Sequence, residues 1–358
     1  MDLTHSAAVF DLIAETTPAV VSPELILVFK GSFLAALVII AVAIAVRSML
    51  AKRDQELEPE AAPLPPQPWA PPSFPPLPPV AELNPSPYTP PLAPGMTQAE
   101  LMTAVQTEAV MEESPVATPG VKTRHFHPLD LAAVGFFFLF FFAQAVAQAK
   151  MPTGGEVKYT PAALIAALVF QAGMAGGVLA IMFARVRPVA LLGLRWPKWP
   201  WALLIGPAGV FTMWGILFGV QAAGYMKWAQ SLGGTAQDTV ELLKTSHDPV
   251  VLGLMAFIAV IVAPVCEEVI FRGYIYPVTK KFGGKWAAAV FTALVFGAAH
   301  GNLPALLPLF LLALGLIWLY EKTGSLWAPI AVHLCFNGAT VLIQALVRYL
   351  DLKVDPGL

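Results

Sequence analysis

The sequence predicts an all-α polytopic membrane protein, a bundle of about eight transmembrane helices with a proline-rich segment after the first. Three observations predict it. Of 358 residues, 57% are hydrophobic and only 12% are charged, about half the roughly 25% charged content of an ordinary soluble domain. The mean hydropathy is +0.68. The few charges cluster, which leaves uncharged runs of the ~20 residues that a helix needs to cross a bilayer, where no water satisfies the backbone. A net charge of −2 gives no electrostatic case for nucleic acid as a partner. The two cysteines, Cys266 and Cys335, lie in apolar runs and read as small apolar fillers rather than a disulfide framework.

The first span covers residues 25–46. Lys30 near one end can snorkel to the interface, and Arg47, Lys52 and Arg53 follow. The first 20 residues hold Asp2, Asp11 and Glu15 and lack a basic start before an apolar core, so the run reads as a retained anchor rather than a cleaved signal peptide. Then 16 of the 37 residues in 59–95 are proline, which forbids helix and favours extended polyproline II. The chain therefore divides into an N-terminal segment with its anchor (1–58), a proline-rich cytoplasmic linker (59–128) and a helical membrane domain (129–358). The linker reads as a semi-rigid, disordered spacer; a docking site for a Pro-recognising partner is the alternative reading. Thr97 and Glu100 have the spacing of a capping box, which predicts a short helix over 97–113. His125 and His127, just before the second span, read as solvated.

The second span is 129–149, including the aromatic run Phe136–Phe142; the third is 160–184 and the fourth 201–224. The fifth begins near Pro249 and runs into Cys266, Glu267 and Glu268. A sixth covers 286–300, a seventh 304–320 after a Gly301-Asn302-Leu303-Pro304 break, and the eighth 326–347. Basic residues follow alternate spans: Arg47, Lys52 and Arg53; Arg185, Arg187, Arg195 and Lys198; Arg272, Lys280, Lys281 and Lys285. The opposite loops carry fewer, Lys150 and Lys158 in one and Lys227 and Lys244 in another. The positive-inside rule makes the richer side cytoplasmic and places both termini outside. The expected location is the cell (inner) membrane, with the protein in multi-pass contact with lipid. No internal repeat is visible.

Ionisable side chains are costly within hydrocarbon and mark candidate functional sites. Three sets stand out, in order on successive spans: Glu267-Glu268-Val-Ile-Phe-Arg272-Gly273, Phe296-Gly-Ala-Ala-His300 and His333-Leu-Cys-Phe-Asn337. Glu268 and Arg272 are i and i+4, so they share a helical face and can pair. Glu267 lies about 100° round from Glu268, turned to a different neighbour, which leaves one carboxylate held ionised by arginine and the other free to act. The other two sets also have i, i+4 spacing. Phe296 reads as core packing, and Asn337 taken alone as interhelical glue. A carboxylate and two imidazoles converging in a bundle can polarise a water and stabilise an oxyanion. Glu267, His300 and His333 would also suit zinc with water in the fourth position. The metal-free reading is favoured, because Asn337 is a poor zinc ligand and a good oxyanion donor.

Glu267-Glu268-x-x-x-Arg272, Phe296-x-x-x-His300 and His333-x-x-x-Asn337 resemble the three motifs of the CPBP family, the type II CAAX prenyl endopeptidases, also called Abi or Rce-type intramembrane proteases. Leu192-Gly-Leu-Arg195 resembles a segment found upstream in bacterial members, so the resemblance covers about 190–345. It implies a glutamate-dependent endopeptidase without a cofactor, acting on a protein or peptide substrate in the membrane. It further implies that Glu267 is the base that activates water and that His300 orients the water. His333 and Asn337 would stabilise the oxyanion, with Glu268 and Arg272 in support. Some relatives are linked to bacteriocin immunity, so a non-catalytic, partner-binding membrane protein is the alternative. A proton-relay transporter ranks last, for want of repeated halves.

Overall fold

The computed structural model describes residues 23–57, 120–149, 159–185, 187–232, 234, 242 and 246–350. The proline-rich stretch 59–95, the 97–113 helix with its capping box, Lys150, Lys158 and Lys244 lie outside them. The chain divides into two units, one of residues 1–51 with 119–358 and one of residues 52–118. Of the second unit, only the helical stretch 52–57 is described.

The described residues are helical, without strands. The main helices are α1 (Pro23–Leu57), α2 (Pro128–Ala149), α3 (Pro161–Phe183), α4 (Ala202–Ala222), α5 (Pro249–Gly283), α6 (Lys285–Ala299), α7 (Leu303–Thr323) and α8 (Trp327–Tyr349). Short helices at Pro188–Leu191 and Tyr225–Ser231 and a 3₁₀ turn at Trp199–Trp201 lie between them. Among the described residues seven helices are long and apolar enough to cross a membrane, so this is a multi-pass integral membrane protein. The sixth predicted span is the exception. With 15 residues, α6 is about 22 Å long, short of a ~30 Å hydrocarbon core. The missing length belongs to α5, which runs on past Glu268 to Gly283. Arg272 is therefore no loop residue; it is fully buried within α5.

Local chemistry sets the helix starts. Thr160 caps α3 by accepting from Ala163 N–H at 3.2 Å. Asp248 caps α5 through Val250 N–H at 2.8 Å, and Asn302 caps α7 through Ala305 N–H at 3.0 Å. Each cap satisfies an end donor that has no intrahelical partner. The predicted break before α7 is thus a turn in which Gly301 adopts φ +59° and Asn302 starts the next helix. Nearby, Tyr225 donates to Leu303 O at 2.5 Å and accepts from Leu307 N–H at 3.3 Å. Burial pushes its phenol above the usual range, the Leu307 bond partly opposing this.

Two stretches of α5, Ile258–Val262 and Glu268–Ile275, are π-helical. Each ends two residues before a proline, Pro264 and Pro277. Proline lacks an N–H and its ring displaces the carbonyl four residues back; a shift to i→i+5 bonding absorbs that defect.

Aromatic side chains tie the helices around α5. Phe33 of α1 meets Phe138 and Phe142 of α2, each at 5.4 Å between ring centroids. Phe141 stacks on Phe271 of α5 at 5.0 Å, and Phe271 meets Phe296 of α6 edge-on at 5.0 Å. The predicted anchor is thus packed into the same hydrophobic cluster as the membrane domain.

Two buried carboxylates brace the basic end of this cluster. Asp130 of α2 accepts from Arg185 Nη1 at 2.9 and 2.8 Å, from Tyr274 Oη at 2.8 Å and from His127 N–H at 2.6 Å. Glu321 of α7 accepts from Tyr276 Oη at 2.8 Å and Lys280 Nζ at 2.5 Å. Lys280 also reaches Val121 O at 3.1 Å, and Lys281 donates to the carbonyls of Arg124 and Phe126. Residues 121–126 are thereby laced onto the end of α5. Partial burial, then the charges of Arg124, Lys122 and Lys281, lower the pKa of His125.

Candidate active site

The three sequence motifs lie on α5, α6 and α8. Glu268 and His300 are equally far in sequence from the Gly284 turn between α5 and α6. A helix that doubles back from that turn carries His300 to the level of Glu268. The short α6 therefore ends at the site rather than passing it. On α8, His333 is six residues beyond Trp327, about 9 Å in from the helix start.

At the centre, Glu268 Oε1 accepts from Arg272 Nη1 at 2.9 Å and faces His333 Nδ1 at 2.8 Å. Glu268 and Arg272 are fully buried and His333 is nearly so. An ionised carboxylate only accepts, so His333 Nδ1 carries the proton of that bond. The other ring nitrogen, Nε2, lies 3.8 Å from Glu267 Oε2, whose side chain keeps 19% exposure. The two glutamates thus face opposite nitrogens of one imidazole. This corrects the helical-wheel expectation that Glu267 turns to a different neighbour. Glu267 ends an α-helical piece and Glu268 opens the π-helical one, so the regular 100° step does not apply at this junction.

Phe296 holds the cluster together. Its ring lies 4.5 Å from the Arg272 guanidinium carbon, 5.0 Å from the His300 ring and 6.0 Å from the His333 ring. A cation over an aromatic face gains about 2 kcal/mol when desolvated, which helps to offset the burial of Arg272. Arg272 Nη2 also donates to Ala313 O of α7 at 3.4 Å. Two atoms of this ion pair, Glu268 Oε2 and Arg272 Nε, are buried without a hydrogen-bond partner.

The remaining motif residues stand at the margin. His300 Nδ1 lies 2.8 Å from Phe296 O; a carbonyl only accepts, so Nδ1–H donates and Nε2 is left as an acceptor in the neutral ring. Asn337 lies one turn beyond His333 and donates from Nδ2 to Ala259 O at 2.8 Å. That carbonyl belongs to the first π-helical stretch of α5. Asn337 is thus tied to α5 and keeps a second N–H on the same amide. Leu192 of the predicted upstream segment supports the floor, its carbonyl accepting from Leu326 N–H at 2.9 Å just before α8.

Among the described residues no group of three or more His, Cys, Asp or Glu side chains is placed to hold a metal ion. Sequence reasoning missed the Phe296 hub and both carboxylate braces. Phe296 was visible only as an apolar residue on the His300 face, and Asp130 and Glu321 look like ordinary helix-end charges.

Residues 249–339, which contain all three motifs, match the family model for type II CAAX prenyl endopeptidase Rce1-like proteins. A Bacillus subtilis (strain 168) protein described as "Putative membrane peptidase YdiL" is 27% identical over 143 residues, which are 38% of this chain and 57% of that protein. The chain thus spans little more than half the length of that relative. No solved structure gives a significant match. The family-model match begins at Pro249, the first residue of α5, so α1 to α4 lie outside it.

Proposed function

We propose that this protein is an intramembrane endopeptidase of the CAAX-protease type, hydrolysing peptide bonds of a membrane-resident substrate with a water activated by Glu267. The observation that carries the proposal is the two-sided capture of His333, by buried Glu268 at Nδ1 and by partly open Glu267 at Nε2. The family match and the peptidase-named relative support the reaction class.

The chemistry follows from these positions. Glu267 takes a proton from a water placed against it, and the hydroxide attacks the substrate carbonyl carbon. The carbonyl π electrons move onto oxygen. That oxyanion accepts from the second Nδ2–H of Asn337 and, with His333 carrying a proton on each nitrogen between the two carboxylates, from His333 Nε2–H. His300, fixed through Nδ1, offers Nε2 as an acceptor that orients the water. Protonated Glu267 then delivers its proton to the departing amine. Glu268, Arg272 and Phe296 are positioning residues that hold His333 through its other nitrogen. The basic side of the bundle is the cytoplasmic side by the positive-inside rule, and α8 enters the bundle from that side.

The test is cleavage of a quenched fluorescent peptide library by the purified full-length chain, paired with comparative proteomics of membranes carrying wild type or Glu267→Gln. We expect the variant to fold normally, to lose cleavage by about 10²–10⁴-fold, and to let one wild-type membrane product disappear. Equal cleavage by both proteins would refute the proposal. Cleavage abolished by a strong chelator and restored by zinc would refute the metal-free mechanism.

A further inference from the structure

The packing of α1 on the turn between α5 and α6 leaves an apolar slot of about 670 Å³ at the basic end of the bundle. Val38, Val42 and Val46 of α1 form one wall, and Trp286 with the Gly283-Gly284 backbone forms the other. Two glycines permit this approach. A Cβ at Gly283 would overlap Ile40 Cδ1, and one at Gly284, where φ is +85°, would lie 2.8 Å from Arg47 Nη1. The Arg47 guanidinium therefore rests against the turn, at the mouth of the slot. Lys285 stands at the same mouth, its Nζ 5.6 Å from the centre of the Trp286 ring.

The charges at this mouth are unbalanced. Among the described residues no carboxylate pairs with Arg47, and the acid nearest Lys285 is Glu321, at 3.9 Å. Glu321 is itself buried and already accepts from Tyr276 and Lys280. The wall residues are open, Val42 to 56% and Trp286 to 78%. Tryptophan at a membrane boundary sits at headgroup level, with its apolar body toward the acyl chains. An apolar slot within the bilayer, capped by two cations and an interfacial tryptophan, matches one kind of molecule: acyl chain below, anionic headgroup above.

We propose that this slot binds an anionic phospholipid, one acyl chain lying along Val38 and Val42 and the phosphate bridging Arg47 and Lys285. The bound lipid joins α1 to α6, the helix that carries Phe296 and His300. The proposal is independent of the peptidase reading. A second protein helix is a poorer occupant, because a helix packing closely here would bring two cations against its own backbone without a countercharge.

Native mass spectrometry of the full-length chain in detergent tests this, titrating phosphatidylglycerol against phosphatidylcholine with identical acyl chains. Two interfacial cations predict retention of phosphatidylglycerol on the order of tenfold over phosphatidylcholine. The Arg47→Gln/Lys285→Gln double variant should bring the two lipids level. Lys198→Gln, a cation change outside the slot, should leave the preference intact. Val42→Trp fills the slot without altering charge and should abolish the preference by itself, which keeps the test decisive if the double variant fails to fold. Glycerol 3-phosphate, a headgroup without chains, should not compete. Equal retention of both lipids by wild type, an unchanged preference in the double or the Val42→Trp variant, or full competition by glycerol 3-phosphate would each overturn the proposal.

Discussion

Two kinds of buried carboxylate occur in this bundle, and they differ in how fully they are satisfied. At the basic end, Asp130 accepts four hydrogen bonds from three residues, and Glu321 accepts from a phenol and an ammonium at Oε1 while its Oε2 lies 3.9 Å from Lys285 Nζ. Around His333, Glu268 uses one oxygen for two partners and leaves Oε2 buried and unmet, while Glu267 meets only an imidazole nitrogen at 3.8 Å. A carboxylate met by a donor or a cation at both oxygens is a strut, because its charge is already engaged. One left short of donors costs folding energy and retains capacity for chemistry. Depth in the membrane alone does not separate the two.

The largest effect should come from cutting the buried pair. Arg272→Met leaves Glu268 as a lone buried charge and should lower stability by about 3–5 kcal/mol, read as a fall in the thermal midpoint in detergent, with cleavage lost. Adding Glu268→Gln should recover stability but not cleavage, since His333 is then no longer held by a carboxylate. Recovery of both would show that the pair is only a strut.

Next in size is Asp130→Asn, which strips charge from the brace between α2, the Arg185 turn and Tyr274. We expect a loss of about 1–3 kcal/mol with cleavage per folded molecule unchanged. A selective loss of turnover would erase the distinction between the two regions. Phe296→Leu keeps apolar volume but removes the cation–π contact of about 2 kcal/mol. It should slow turnover more than it raises KM, because it loosens Arg272 and both histidines together. The smallest effect is Thr160→Ala, loss of a cap worth about 1 kcal/mol, visible in the thermal midpoint and absent from the kinetics.

The fold was legible because bilayer spans announce themselves as uncharged runs, and every predicted span is a helix. The boundary of the fifth was hidden because Arg272, Lys280 and Lys281 look like a basic loop. In fact Arg272 is neutralised by Glu268, and the two lysines are spent on Glu321 and the carbonyls of residues 121, 124 and 126. The motif spacing made the Glu268–Arg272 contact readable, since i, i+4 neighbours meet on a helix. The convergence of Glu267 and Glu268 on His333 was not readable, because it depends on a π-helical shift. Pro264 and Pro277 were the available signal, prolines inside a long apolar helix that must displace its hydrogen bonds. Phe296 stood in the second motif but read as core packing, because a hub and a filler are both phenylalanine in a sequence.

The most direct test compares Glu267→Gln with Glu321→Gln in one preparation, measuring peptide cleavage and thermal midpoint for each. Glu267→Gln should abolish cleavage and leave the midpoint within a degree or so of wild type. Glu321→Gln should lower the midpoint by several degrees while each folded molecule still cleaves. Cleavage that survives in Glu267→Gln, or vanishes equally in both with stability intact, would contradict the assignment of Glu267 as the group that activates water.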